Sequence, residues 1–564
     1  MKFADYRYAR PNLENLTLRF EEQLEAFDKA KDILTLNRII FRINTLRNRF
    51  QSMASICHVR HTVNIKDEYY EKEHNFFNEK TPSVEALVSR FYKKLLDSRF
   101  RAELEEQWGK QLFVIAELAI KTFQPSILES LQEENKLSTE YVKSKAVAQI
   151  SFRGETYNLA GIHVLETDPD RETRKEASTA KWDFYVSNRA NAEEIYDKSV
   201  KVRDSIAKEL GYKNFVELGY ARMNRSDYTP EMVANFRKQV HEHIVPIAQK
   251  LYERQRKRLN LDKLKYYDED FKFASGNPKP KGTPEWIVKN AETMYSELSN
   301  ETRRFFDFMI ENELMDLVNK EGKATGGYCT HFGKYKTPFI FSNFNGTSGD
   351  IDVLTHEAGH AFQFYSSRKQ PISEYFWPTY EACEIHSMSM EFFTWPWMNL
   401  FFKEDTDKYQ FAHLSASILF LPYGVAVDEF QHFVYEHPEA TPEERNAAWR
   451  ALEKKYLPHR DYDGNQFLED GCFWQRQNHI FTTPFYYIDY TLAQICAFQF
   501  WKRDREDHTG AWNDYANLCK EGGSKSFLEL VKVAGLRSPF EDGCLESVVG
   551  EISSWLDSID DSKF

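Results

Sequence analysis

The sequence predicts a mainly α-helical protein with one small β-sheet, on three observations. From residue 13 to about 260, apolar residues recur every three or four positions among charges. One segment, 326–350, alternates β-branched and aromatic residues with polar ones. The helical spacing then returns and continues to "SSWLDSID" near the end.

The first residues, "MKFADYRYARPNLENL", carry no apolar core behind their charges and read as neither a secretory signal nor an anchor. "LTLRFEEQLEAFDKAKDIL" and "VEALVSRFYKKLLDSRFRAELEEQW" have the single apolar stripe of amphipathic helices. "FASGNPKPKGTPEW" (273–286) holds Pro278, Pro280 and Pro284 with Gly276 and Gly282, so no helix passes through it, and it reads as a surface loop or lobe boundary. "GGYCTHFGKYKTPFIFSNFNGTSGD" (326–350) reads as a hairpin or small sheet ending in the turn "NGTSGD". The most apolar run, "SASILFLPYGVAV" (415–427), is too short to span a bilayer and is broken by Pro422.

Of 564 residues, 41% are hydrophobic and 29% charged, enough apolar material for a large core divided into lobes or domains. With 87 acidic against 74 basic residues the net charge is −13, which repels nucleic acid and anionic membranes and favours cationic or neutral ligands. Seven scattered cysteines without a CxxC pair suit a reducing cytosol. These features together predict a soluble cytoplasmic protein, with no heptad repeat to indicate an oligomeric state.

The chemistry concentrates in "VLTHEAGHAFQ" (353–363). Thr347 or Ser348 is expected to cap the helix that follows, with Asp350 and Asp352 in its first turn. On a helix, His356 and His360 lie about 6 Å apart along the axis and about 40° around it, so both imidazoles can hold one metal ion. Glu357 is adjacent without competing for the same position, where a carboxylate can take a proton from metal-bound water. The five-residue match alone is short enough to arise by chance. A catalytic zinc wants a third protein ligand and an open position.

"YEACEIHSMSMEFF" (380–393) supplies the candidate. Its glutamates, Glu381, Glu384 and Glu391, are read as sharing a face at spacings of three and seven, and they sit among Ala382, Cys383, Ile385, Met388, Met390, Phe392 and Phe393, so the helix is largely buried. Carboxylates are rarely left inside without a cation or donor. Glu384 is read as the third ligand. Glu381 and Glu391 are read as carboxylates that orient a ligand histidine, or as plain buried hydrogen-bond acceptors. His386, on the opposite side of the helix, is not expected to bind the same metal.

These residues resemble the M3 zinc peptidases, the thimet oligopeptidase and neurolysin family, and most of all its oligoendopeptidase F branch. The resemblance rests on "FNGTSGDIDVLTHEAGHA", the "E-IHSMSM-E" helix, "HIFTTPFYYIDYTLAQ" (479–494) and "AGLRSPFE" (534–541). It implies one Zn2+ per chain, held by His356, His360 and Glu384, with Glu357 as general base and proton shuttle. It implies a neurolysin-like, two-lobed helical body with a deep channel that admits short flexible peptides. Residues 1–190 would form an N-terminal helical region walling part of the channel, and residues 191–564 the catalytic region. Gly359 matches a family glycine; inside a helix it costs about 1 kcal/mol relative to alanine, so a close contact beneath the zinc is expected there, the alternative being a merely tolerated glycine.

An oxyanion also needs donors, and a phenol or imidazole usually helps the metal. By resemblance His479 and Tyr490 match the family's donors, with Tyr486 a third. The chain departs from the family where mammalian relatives have a Gly-Tyr pair and it reads Thr482, Thr483, Pro484 and Phe485. The strand segment offers an edge on which an extended peptide backbone can pair, irrespective of its side chains.

The expected activity is zinc-dependent hydrolysis of internal bonds in short unstructured peptides. The alternatives are a zinc carboxypeptidase or dipeptidyl carboxypeptidase, and a helical peptide-binding scaffold with an accidental HExxH.

Overall fold

The structure, a computed structural model, describes residues 1–564, the side chain of residue 160 aside. It is mainly helical, as the sequence predicts, with two small sheets where one was expected. The N-terminal helices Leu13–Lys29, Ile33–Val63, Glu68–Leu96 and Lys110–Lys121 close over their own apolar cluster, which includes Phe20, Leu24, Ile40, Phe91 and Leu112. The amphipathic run that begins this region is divided at residues 30–32. There Asp32 accepts from Thr35 N–H at 2.8 Å and starts a second helix, so one stripe serves two helices.

The hairpin β1 (Ile150–Phe152) and β2 (Glu155–Tyr157) was not legible from periodicity. Its signal is the pair Arg153 and Gly154, both at positive φ (49° and 88°), which turn the chain in two residues. Residues 274–283 form the expected irregular connection, which ends where Thr283 caps helix Pro284–Leu298.

The second sheet holds β3 (Met315–Val318), β4 (Tyr328–Phe332) and β5 (Thr337–Phe344) in the order β3-β5-β4. The β4–β5 hairpin was expected; β3, parallel to β5, was not. β5 is central and almost wholly buried, which explains its continuous apolar run, whereas β4 is an edge. The chain then turns through residues 345–348 into the motif helix, Gly349–Ser367.

Neither Thr347 nor Ser348 caps that helix, contrary to expectation. Ser348 already has helical angles, so its side chain is out of reach, and the Thr347 hydroxyl is held by Asn345. Asp350 closes the turn instead, its carboxylate accepting from the N–H groups of Asn345 and Gly346, both at 2.8 Å.

Behind the motif helix lie the glutamate helix, Tyr380–Phe393, and the tyrosine helix, Tyr487–Glu506, within one large core. The helix Thr406–Glu436 runs straight through Pro422, which the sequence reading took for a break. With its N-terminal flank it is long and apolar enough to cross a membrane by length and composition, yet Leu414, Ile418, Leu421 and Val425 are each fully buried in the core.

Candidate active site

Gly359 lets the motif and glutamate helices touch. A Cβ at this position would stand 2.6 Å from the His386 carbonyl oxygen and 2.7 Å from Ser387 Cα, inside any allowed contact. With the backbones this close, Glu384 reaches both motif histidines. His356 Nε2 lies 3.3 Å and His360 Nε2 3.5 Å from Glu384 Oε2. One donor atom from each residue falls within 4.8 Å of the others, a spacing that fits a single ion. Two imidazole nitrogens and a carboxylate oxygen form the donor set zinc prefers.

The far side of His356 is fixed as well. Its Nδ1 meets Glu391 Oε1 at 2.7 Å, which leaves Nε2 facing Glu384. Glu391 Oε2 in turn meets His413 Nε2 at 2.8 Å, and Trp395 Nε1 donates to His413 Nδ1 at 3.2 Å. His413 belongs to this site, and nothing in its surroundings, "FAHLSAS", marks it in the sequence. Burial works against a charged His356, but Glu384 and Glu391 outweigh it and hold its pKa well above the ordinary value. Burial likewise raises Glu384, and His360 and His356 overcome it, so this carboxyl lies well below its usual range.

Glu357 is 7% exposed, and its Oε2 has no hydrogen-bond partner. Burial pushes its pKa up, while the two histidines pull it back in part. A Cβ on Gly327, the residue before β4, would lie 3.6 Å from Glu357 Oε1, so the outer, half-buried strand of the sheet begins beside this carboxylate.

His479, Tyr486 and Tyr490 come together across the cluster. Ring centroids are 5.7 Å apart for His479–Tyr486, 5.9 Å for His479–Tyr490 and 4.9 Å for Tyr486–Tyr490. The Tyr486 hydroxyl donates to Glu384 Oε1 at 2.6 Å. Burial, then the Glu384 charge, holds both phenols above the ordinary tyrosine value, so they stay protonated donors. The Tyr423 hydroxyl donates to Gln477 Oε1 at 2.9 Å, which turns the Gln477 amide N–H onto His479 Nδ1 at 2.8 Å. The proton of a neutral His479 is therefore on Nε2. Burial lowers the His479 pKa and favours that neutral form.

Phe485, the residue before Tyr486, has φ of 68°, the left-handed conformation ordinarily supplied by glycine.

Glu381 requires a correction. It makes no hydrogen bond to either histidine; neither carboxylate oxygen has any partner, and its nearest charges are Asp489 and Arg225. Helical geometry explains why. Seven residues return to within about 20° of the starting direction, as Glu391 does from Glu384, whereas three residues leave Glu381 about 60° away. His386 is buried with Nδ1 2.6 Å from the Ala382 carbonyl, apart from the cluster, as its helix position predicts.

Sequence and structure comparisons give the proteins to which the chain is similar. The profile of the Peptidase M3 N-terminal domain matches residues 3–123, and that of Peptidase family M3 matches residues 164–549. An oligoendopeptidase F homolog of Borreliella burgdorferi is 25% identical over 383 residues, which span 65% of this chain and 62% of that protein. One from Lactococcus lactis subsp. lactis is 22% identical over 543 residues, 90% of this chain and 86% of that protein. Among solved structures, PZ peptidase A with inhibitor 2 is 62% identical with both chains fully covered and a TM-score of 0.96. A Bacillus anthracis protein provisionally assigned as an oligoendopeptidase F is 56% identical, over 100% of this chain and 99% of that one, at a TM-score of 0.92.

Proposed function

The chain belongs to Peptidase family M3, in its oligoendopeptidase F branch, and from that premise we propose that it is a zinc endopeptidase that cuts internal bonds of short unstructured peptides. One observation carries the reading. Two imidazole Nε2 atoms and a carboxylate oxygen converge beside a buried glutamate whose second oxygen has no partner. His356, His360 and Glu384 would hold one zinc ion, which when bound supplies Lewis acidity to polarise a carbonyl and acidify water.

The protein's own groups do the rest. Glu357, next to His356 in the chain and committed to no partner at Oε2, takes a proton from the attacking water and returns it to the departing amine. His479, through its Nε2–H, and Tyr490 are the donors to the oxyanion, with Tyr486 the third. Glu391 keeps the His356 ring turned with Nε2 inward. The edge of β4, hydrogen-bonded in its sheet to β5 alone, receives the extended peptide backbone next to Glu357. Recognition through backbone tolerates many side chains. Seven free thiols suit the reducing cytoplasm, the compartment proposed for the protein.

The deciding experiment compares Glu357→Gln with His356→Ala on an acetylated, amidated peptide. Glu357→Gln should keep one zinc per chain and lose cleavage; His356→Ala should lose both. Cleavage by Glu357→Gln at the parent rate would refute the proton-transfer role. Refusal of the blocked peptide by the parent enzyme, with cleavage of the unblocked form, would make the protein a carboxypeptidase.

A further inference from the structure

Eight residues other than glycine have positive φ among the described residues, and Phe485 is the buried one and the aromatic one. The others, Arg153, Asn224, Asn260, Glu313, Lys336, Lys403 and Asp463, are polar and lie at least partly in solvent. A left-handed backbone beneath a bulky side chain is strained, and it persists only where its surroundings over-determine it.

They do so here. The Phe485 N–H donates to Gln431 Oε1 at 2.9 Å, and Arg225 Nη2 donates to the Phe485 carbonyl at 2.6 Å. The ring occupies the space of an absent side chain, since a Cβ on Gly219 would stand 2.5 Å from Phe485 Cδ2. Arg225 Nη2 also reaches Asp489 Oδ1 at 2.5 Å, in the first turn of the tyrosine helix. Its guanidinium lies 4.5 Å and 5.5 Å from the ring centres of Tyr220 and Tyr228. Gln431, Phe485 and Asp489 are fully buried, and Arg225 is nearly so.

The residue that follows is Tyr486, and the direction of its Cα–Cβ bond depends on how the preceding peptide is turned. Relaxing Phe485 to negative φ would reorient that peptide and carry the phenol away from Glu384. The 2.6 Å bond between Tyr486 and Glu384 is one contact at the end of a rotatable side chain. The backbone lock lies at its root.

We propose that Gln431, Arg225 and Gly219 are positioning residues for the peptidase reaction: they lock Phe485 in the left-handed conformation and thereby aim the Tyr486 hydroxyl at the metal-ligand cluster. This rests on the reading of that cluster as the zinc site. None of the three touches a zinc ligand in the contacts described; each acts through the Phe485 peptide or ring.

The test is a double-mutant cycle. Gln431→Met removes the acceptor for the Phe485 N–H, and Gly219→Ala pushes on its ring. Arg225 is left intact because its loss would strand buried Asp489 without a counter-charge. A Cβ at Gly219 overlaps the buried ring, so a denaturant unfolding midpoint is recorded for each variant, and Gln431→Met carries the test if Gly219→Ala fails to fold. Each change is made alone and with Tyr486→Phe, and kcat, KM and zinc content are measured with Glu357→Gln run alongside. Alone, each should lower kcat about 10- to 100-fold, with KM within about 3-fold and zinc at one per chain. Combined with Tyr486→Phe, each should lower kcat by no more than about a further 3-fold, because the path is already cut. Penalties that multiply in full, or single variants with parental kcat, would overturn the proposal. An active Glu357→Gln would instead strike at the zinc-peptidase reading itself.

Discussion

The two sides of the site are held by different means. On the metal side, His356, His360, Glu384 and Glu391 project from two long helices in direct backbone contact, and each charged group there faces an opposite or a donor. On the tyrosine side, His479 sits on the five-residue helix Asn478–Thr482, and Tyr486 follows a left-handed phenylalanine. That side is held by Gln477, Gln431 and Arg225, reaching in from elsewhere in the chain. Helical periodicity suffices to aim a ligand set, whereas donors that must meet a developing charge take their aim from the tertiary environment.

The comparison predicts that damage to the tyrosine side shows in turnover and damage to the metal side in zinc retention. The largest effect is expected on the tyrosine side: Tyr490→Phe should lower kcat about 10²- to 10³-fold while zinc stays at one per chain. Loss of zinc from that variant would erase the distinction. Next, Glu391→Gln should weaken zinc binding about 10- to 100-fold in competition with a chelator, and excess zinc should restore most of the activity. An unchanged affinity would mean that Glu391 does not orient His356.

Gly359→Ala probes the contact under both motif histidines. Its Cβ would meet backbone, which cannot swing aside, so the helices must separate, at about 1–3 kcal/mol by denaturant unfolding. A parental midpoint would show that the helices have room.

The smallest effect belongs to Glu381→Gln and is a matter of pH. Burial, reinforced by Asp489, holds the folded Glu381 pKa above its ordinary value. In the folded protein the carboxyl therefore keeps its proton at pH values where the unfolded chain releases it. As pH rises from the ordinary carboxylate range toward the raised value, the unfolded state gains and stability falls. Glu381→Gln removes that loss, so the Tm of the variant relative to the parent should climb with pH over this window. Parallel profiles would show that Glu381 does not titrate there.

Much of the metal side was legible in the sequence because its information is local. His356 and His360 stand four apart on one helix, and Glu384 and Glu391 seven apart on another, so backbone geometry alone puts each pair on one face. The same rule, applied with its 60° remainder, would have turned Glu381 away from the histidines. Pro422 misled in the other direction: the surrounding core keeps Thr406–Glu436 helical through a residue that disfavours it.

By itself the sequence determined the helical class, the small sheet before the motif helix, and which side chains share each helix face. Only the tertiary structure decided that His413 completes the chain behind His356, that Gly359 meets His386 and Ser387, and that Arg225 clamps a peptide 260 residues further on. The reason is physical: periodicity is imposed by hydrogen bonds three or four residues apart and is written in neighbouring residues. Contacts between distant segments obey shape and charge complementarity, which one segment does not encode without the other.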